Sequence, residues 1–464
     1  MVEQEGKHLV LFPFMAEGHF VPFLAMADRI NRRTRCTITI VSTPLLSRNL
    51  KAINPPDSNI RLAELPFSCT DVGLALLEAS ETLRPAFEDM LSELCRTAGR
   101  ESIHVIADFL VGWAVEVATE LGVLVSVFMT SGAYGTAVGV SLWLQPPSGD
   151  PESDEFSLAD FPRPISLRRS QIPDYIRFSD GSDVLCPFLR RQSSRCLGAD
   201  GFLFNTLEGL EDIGLEYFEK KSGGSPVWAI GPIIAGDDFR RFRGEHGVQS
   251  QGCIEWLDLH PPSSVLYIAF GSIETISASE MMEFAHGLEM SGRPFIWVVK
   301  PPLGNEETEQ FRRNEWLPEG FEDRIQKRKQ GILVKNWGPQ LAILSHKSTG
   351  AFLSHCGWNS ILESLANGVP IISWPLGGEQ NFNSKLLQEE LKVSVEIAAG
   401  DSAEIDRDRI SGVIEMAMGQ TQKGDEIRRN AGILRAMFEA ANREEGCSNE
   451  ALDDFLKKAF PSRK

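Results

Sequence analysis

Along this chain apolar residues recur in two rhythms that take turns. KHLVLFPF at residues 7–14 is apolar at most positions; it gives way to VPFLAMADRINRR at 21–33, apolar at helical spacing, and then to another apolar run, CTITIVST at 36–43. SIHVIAD (102–108), VGWAVEVATELG (111–122) and VLVSVFM (123–129) repeat the succession. A near-continuous apolar strand, an amphipathic helix and a second such strand are the pattern of a parallel βαβ unit covered on both sheet faces. Later, SSVLYIAFGS, RPFIWVVK, GILVKNW, TGAFLSH and VPIISWP read as further strands, several separated by helical patterns such as EMMEFAHGLEM and NSILESLANG. The expected fold is α/β, with two Rossmann-like, doubly wound domains.

At 464 residues the chain is too long for one ordinary core. Residues 1–240 are assigned to an N-terminal domain and 251–445 to a C-terminal one, with 241–250, which shows neither rhythm, as the linker. The amphipathic stretch SNEALDDFLKKAFP places a terminal helix in 446–464, expected to pack back on the first domain. Residues 140–190, with QPPSGDPESDEF and FPRPISLRRSQIPDYI, are rich in Pro, Ser and charge and read as long loops.

Composition narrows the function classes. A formal charge of −18 argues against a nucleic-acid partner, because phosphate backbones are gripped by basic patches. Eight cysteines without a CxxC pair read as core thiols, and neither a metal site nor a disulfide framework is expected. MVEQEGKHLVLFPF suits a first strand better than a signal peptide. No run of about 18 apolar residues is present to span a bilayer. A cytoplasmic monomer without an integral membrane segment is the expectation.

In an open parallel sheet, ligands sit beyond the carboxyl ends of the strands, where loops and helix N-termini converge. That rule selects His19 and Asp108 in the first domain, and Ser272, Trp337, His355 and Trp374 in the second. If the domains face each other, both rims border one cleft. A strand, His355, Gly357 and a helix start near Asn359 and Ser360 would aim free backbone N–H groups at a phosphate. Blander readings compete: Ser360 and Glu363 also spell a capping box, Asn367-Gly368 a helix C-cap, and Trp337 and Trp374 core aromatics.

Residues 337–380, WGPQLAILSHKSTGAFLSHCGWNSILESLANGVPIISWPLGGEQ, closely resemble the signature box of the plant UDP-sugar-dependent glycosyltransferases of family 1. The likeness extends to PFMAEGHFVPF, ADFLVGW, AIGPII and CIEWLDLHPPSSVLYIAFGS. It implies the GT-B architecture, two domains facing across a cleft, with the acceptor on the first and the UDP-sugar on the second.

By that resemblance Trp337, next to Gly338, stacks on uracil, an interaction of roughly 1–3 kcal/mol. Gln340 and Glu363 take the ribose hydroxyls. Ser272, His355, Gly357, Asn359 and Ser360 hold the diphosphate, and Trp358, Glu379 and Gln380 read the sugar. Gln380, with Trp358 where glucuronosyl enzymes carry Arg, points to UDP-glucose as co-substrate; xylose, rhamnose and galactose stay open. Thr130 resembles a family threonine that touches the sugar. No cofactor is implied. His19 and Asp108 match the family's general base and its orienting acid: the acceptor hydroxyl loses its proton as it attacks, and a carboxylate on the far ring nitrogen fixes the tautomer. Attack opposite UDP inverts the anomeric centre. The Phe, Leu, Trp and Met content of the first domain fits an apolar small-molecule acceptor, a flavonoid, terpenoid or phenolic. Gly338 replaces a commoner Ala and Gly377-Gly378 precede Glu379, both read as room beside the sugar.

Two other readings are weighed. A catalytically silent binding protein of the same fold is opposed by the presence of His19, Asp108, Glu379 and Gln380. An acyl-CoA-dependent acyltransferase is suggested by HxxxD at His104–Asp108, but no DFGWG-like partner follows.

Overall fold

The structure, a computed structural model, describes residues 6–44, 46, 59–69, 74–145, 153–234, 248–271, 275–305, 311–397 and 405–460. The chain divides into two units. The first comprises Met1–Arg169, Asp174–Phe242 and Ala441–Lys464, the second Ser170–Pro173 and Arg243–Ala440. Residues 241–247 of the expected linker lie outside the described residues, and Val248–Leu257 is already a helix.

The first unit is built on β1 (His8–Phe12), β2 (Thr37–Ser42), β3 (Ile60–Glu64), β4 (Ile103–Asp108), β5 (Leu124–Met129), β8 (Gly201–Phe204) and β9 (Val227–Ala229), with the hairpin β6 (Glu155–Leu158) and β7 (Ile165–Arg168) apart from them. The seven strands lie in the order β3-β2-β1-β4-β5-β8-β9, every pair parallel. Alternation along β1 shows why both faces are covered. Leu9 and Leu11 enter one core with Ile38, Ile106 and Phe128. Phe12, on the opposite face, packs against Phe87 and Trp113, ring centroids 4.8 and 5.2 Å away.

The terminal helix Cys447–Ala459 adds Leu452, Phe455 and Leu456 to the core of Leu9 and Leu11. Its polar side is pinned as well: Trp228 Nε1 donates to Asp454 at 2.8 Å and Arg29 Nη2 to Asn449 at 2.7 Å. At roughly 1.5–3 kcal/mol per buried Leu or Phe, burial outweighs the half-exposed Arg33–Asp453 ion pair in holding it. The stretch read as long loops holds more order than expected. β6 and β7 pair antiparallel with Phe156, Leu158 and Leu167 buried, and the helix Leu185–Cys196 buries Phe188 and Leu189.

The second unit carries β10 (Val265–Ala269), β11 (Phe295–Val299), β12 (Gly331–Lys335), β13 (Thr349–Ser354), β14 (Ile371–Ser373) and β15 (Ser394–Glu396), all parallel in the order β12-β11-β10-β13-β14-β15. Leu266 and Ile268 point into one core with Phe284 and Trp297, while Val265 and Tyr267 point into another with Ile296 and Phe352. Each sheet therefore reverses strand order once, between β1 and β4 in the first unit and between β10 and β13 in the second. Such switch points open a crevice at the carboxyl ends of the strands, because the flanking connections leave in opposite directions.

Candidate active site

At the first switch point, three consecutive strands deliver three side chains. His19 lies in the first turn of the helix Glu17–Arg33 that follows β1, Asp108 is the last residue of β4, and Thr130 follows β5. His19 Nδ1 is 2.9 Å from Oδ2 and 3.1 Å from Oδ1 of Asp108, and 3.1 Å from Thr130 Oγ1. Asp108 is wholly buried, and its Oδ1 also accepts the Leu110 N–H at 2.9 Å, which fixes the carboxylate plane. A carboxylate at Nδ1 selects the tautomer with the proton there, so Nε2 carries the lone pair. The imidazole is 29% exposed and its edge meets the buried Phe14 ring at 5.5 Å, so the ring keeps access to solvent while one side stays dry. Thr130, expected at the sugar, has its hydroxyl at the same ring nitrogen as Asp108.

His104, the histidine of the HxxxD letters, is committed elsewhere. It is buried, its Nε2 lies 3.0 Å from Ser126 Oγ, and its ring packs edge-on to Phe455 and Phe460. Burial pushes its pKa down to about 3. Asp108 is engaged by His19, so the motif forms no functional pair.

At the second switch point the chain turns sharply from β13 into the helix Trp358–Ala366. Cys356 takes up the left-handed conformation (φ 67°), unusual for a non-glycine and held by its N–H to Ser354 Oγ at 3.1 Å. His355 is clasped between two glycines. A Cβ on Gly271 would sit 2.6 Å from its Cε1 and Nε2, and one on Gly357 2.5 Å from its Nε2. Only residues without side chains let the turn after β10 and the helix N-terminus close on the ring. Burial first, and then the Lys300 charge, push the His355 pKa down to about 4, which leaves it neutral near pH 7. Ser272 lies outside the described residues.

Gly357 is the N-cap of that helix, so Ser360 falls in its first turn and the capping-box reading of Ser360 and Glu363 is corrected. Both instead meet Gln340, whose Nε2 donates to Ser360 Oγ at 3.1 Å and to Glu363 Oε2 at 2.7 Å. The buried Tyr267 hydroxyl, behind them, donates to Gln340 Oε1 at 3.3 Å and fixes which way the carboxamide faces. Trp337, half-buried, stands on the tight turn after β12, following Asn336 at φ 62°. Asn359 is half-buried beside Ser360, whereas Trp358 is buried.

Glu379 precedes the helix Gln380–Lys385, and Gln380 is buried with its Oε1 accepting the Leu376 and Gly377 N–H groups at 2.8 and 3.1 Å. The loop itself therefore orients the Gln380 amide. Extra room was expected at Gly338 and is not there: a Cβ would lie 2.8 Å from Val298 Cγ2. Gly378 fits the expectation better, with φ 58° and nothing within 4 Å of a Cβ. Trp374 is a core residue, edge-on to Phe270 and Phe284 at 5.4 Å each. Neither Tyr267 nor Lys300 is singled out by the sequence, although Lys300 closes the apolar run FIWVVK, one residue past the end of β11.

Comparison with known proteins bears on both switch points. Residues 252–406 match the family model "UDP-glucoronosyl and UDP-glucosyl transferase". UDP-glycosyltransferase 92A1 of Arabidopsis thaliana is 40% identical over 99% of each chain, and crocetin glucosyltransferase 3 of Crocus sativus is 38% identical over 83% of this chain and 85% of its own. The structure of Phytolacca americana UGT2 complexed with UDP-2fluoro-glucose and pterostilbene superposes with a TM-score of 0.81 at 27% identity, covering 98% of this chain and 99% of that one. That neighbour shares the two-domain α/β architecture of the GT-B fold. Among the described residues no helix is long and apolar enough to cross a membrane. With an Arabidopsis relative aligned almost end to end and the family model spanning the second switch point, this chain belongs to the plant UDP-glycosyltransferases, enzymes that transfer a sugar from a UDP-linked donor.

Proposed function

We propose that the enzyme transfers glucose from UDP-glucose, with inversion, to a hydroxyl of an apolar small molecule such as a flavonoid, terpenoid or phenolic. The observation that carries the reading is the His19–Asp108 pair at 2.9 Å, on the strand-end rim of a unit whose partner sheet holds the signature box. His19 Nε2 removes the acceptor proton as the oxygen attacks the anomeric carbon, and Asp108 stabilises the imidazolium that forms. Trp337 stacks on the uracil, Gln340 and Glu363 bind the ribose, and His355, Asn359, Ser360 and the Gly357 helix start bind the diphosphate, with Ser272 assigned to it by resemblance.

Glu379 and Gln380 bind the hexose. With Gln380 Oε1 committed to Leu376 and Gly377, its amide N–H is what it offers to a sugar hydroxyl. Donor and acceptor classes are supported by relatives named for glucosyl transfer and by the UDP-2fluoro-glucose and pterostilbene in the Phytolacca complex. The test is incubation of the purified protein with UDP-glucose and a mixed panel of phenolic and terpenoid alcohols, read by mass spectrometry and by NMR at the anomeric proton. A β-glucoside is expected. A hexose adduct of α configuration refutes inversion, and no adduct with any UDP-sugar refutes the reading.

A further inference from the structure

We propose that Lys300 is a further catalytic residue of this transfer: its ammonium group pairs with the diphosphate of the bound UDP-sugar and takes up the charge that UDP gains as it departs. The inference rests on the reading of the second switch point as the donor site.

The reaction sets the requirement. As the bond from the acceptor oxygen to the anomeric carbon forms, the bond from that carbon to the β-phosphate oxygen breaks. The electron pair stays on the phosphate oxygen, and the acceptor proton goes to His19. Charge therefore accumulates on UDP in the transition state, and a fixed group of opposite sign next to it lowers the barrier. The groups already assigned to the diphosphate are dipoles. Ser360 and the backbone at Gly357 are neutral, and His355, held to about 4 by its burial and by Lys300, is neutral as well near pH 7.

Lys300 supplies the missing charge at the right place. It is the first residue beyond β11, which neighbours β10 in the sheet, and its Nζ reaches across to donate to the carbonyl oxygen of Gly271. Gly271 (φ 76°) presses on the His355 ring, and Gly357, at the helix start, presses on Nε2 of the same ring. Lys300, Gly271, His355 and the helix N-terminus are thus successive neighbours around one switch point. A helix dipole and a lysine that converge there form a stronger anion site than either alone.

A lysine that only braced the Gly271 turn could be replaced by any side chain that donates to that carbonyl, whereas one that meets phosphate needs its charge and acts only on ligands that carry phosphate. The experiment compares wild type, K300Q and K300R, titrating the full-length protein calorimetrically with UDP and with uridine, and measuring kcat at saturating UDP-glucose. K300Q keeps an N–H donor for Gly271 but has no charge. The expected result is a loss of UDP affinity on the order of 10- to 100-fold in K300Q, unchanged uridine affinity, a lowered kcat, and substantial recovery of both in K300R. An equal loss for uridine and UDP, or an unchanged UDP affinity and kcat in K300Q, overturns the inference. A wild-type protein that binds neither UDP nor UDP-glucose overturns instead the donor-site reading beneath it.

Discussion

Asp108→Asn tests the proposed base with almost no change of shape. In the native site both Asp108 oxygens face His19 Nδ1, at 2.9 and 3.1 Å, and Oδ1 also accepts the Leu110 N–H at 2.9 Å. The Leu110 N–H requires an oxygen, so the D108N side chain keeps its carbonyl there and places its NH2 at the closer, 2.9 Å contact with Nδ1. That NH2 donates, so it favours the tautomer with the proton on Nε2, and the lone pair that should receive the acceptor proton is lost. Returning to the productive tautomer sets N–H against N–H in a buried site, which costs about 1–3 kcal/mol, or roughly 5- to 150-fold in rate. Loss of the negative charge that stabilises the imidazolium adds a second factor, as charge-assisted bonds are about twice as strong as neutral ones. Together these predict a fall in kcat/KM for the acceptor of about 10²–10⁴-fold, with calorimetric UDP affinity unchanged because the residues assigned to UDP lie in the other unit. Initial rates of UDP release from UDP-glucose with a phenolic acceptor provide the measurement. A D108N enzyme of undiminished kcat/KM refutes the assignment of base and orienting acid, and so does one whose UDP affinity falls in proportion to its rate.

Three further outcomes are expected. Trp337→Ala should weaken UDP binding by about 1–3 kcal/mol, the value of stacking on a base, and leave kcat at saturating donor nearly intact; calorimetry that shows no loss removes Trp337 from the uracil site. Gly357→Ala places a Cβ 2.5 Å from His355 Nε2 and should cost about 1–3 kcal/mol of stability together with UDP affinity, so an unchanged melting temperature and unchanged UDP titration would show that the ring is not clasped. Glu211 is buried and accepts the Ala133 and Tyr134 N–H groups at 3.1 and 2.9 Å, while burial pushes its carboxyl from 4.5 up to about 7. Between those two values the folded chain keeps a proton the unfolded chain has released, so stability should decline as pH rises from about 4.5 to 7; E211Q should lack that component, and equal slopes for both proteins in chemical denaturation contradict it.

The sequence carried the layered architecture because strands buried on both faces must be apolar at nearly every position, and few other structures impose that pattern. Strand order was not written locally. It decides that the ends of β1, β4 and β5 adjoin, and so that His19, Asp108 and Thr130 meet. Asp108 and His355 are legible because a polar residue that closes an apolar run marks a strand end, and Lys300 obeys the same rule. Ser360 and Glu363 were ambiguous for a geometric reason: a spacing of three serves a capping box and two neighbours on one helix face equally well, and only the helix start at Gly357 separates them. The filled space at Gly338 depends on Val298 from another strand, a contact with no trace in the residues around position 338. The β6–β7 hairpin was hidden because four-residue strands offer too few alternations to stand out among flanking Pro and Ser.

In the proposed mechanism the two histidines at the switch points divide labour through their surroundings. His19 and His355 both follow a strand in a parallel sheet and stand at a helix start, and sequence context alone does not separate them as candidates for the base. One has a buried carboxylate on Nδ1 and an imidazole open to solvent on part of its surface, the arrangement that accommodates an arriving proton. The other is enclosed by two glycines, has a lysine for a neighbour, and is held neutral down to about pH 4. Protonating it would set two positive charges side by side, so near pH 7 it stands beside Lys300 as a neutral hydrogen-bonding group. A ring that stays neutral neither repels the Lys300 ammonium nor draws the anion away from it. In that mechanism the environment that disqualifies His355 as a base is the one that suits this rim to a diphosphate.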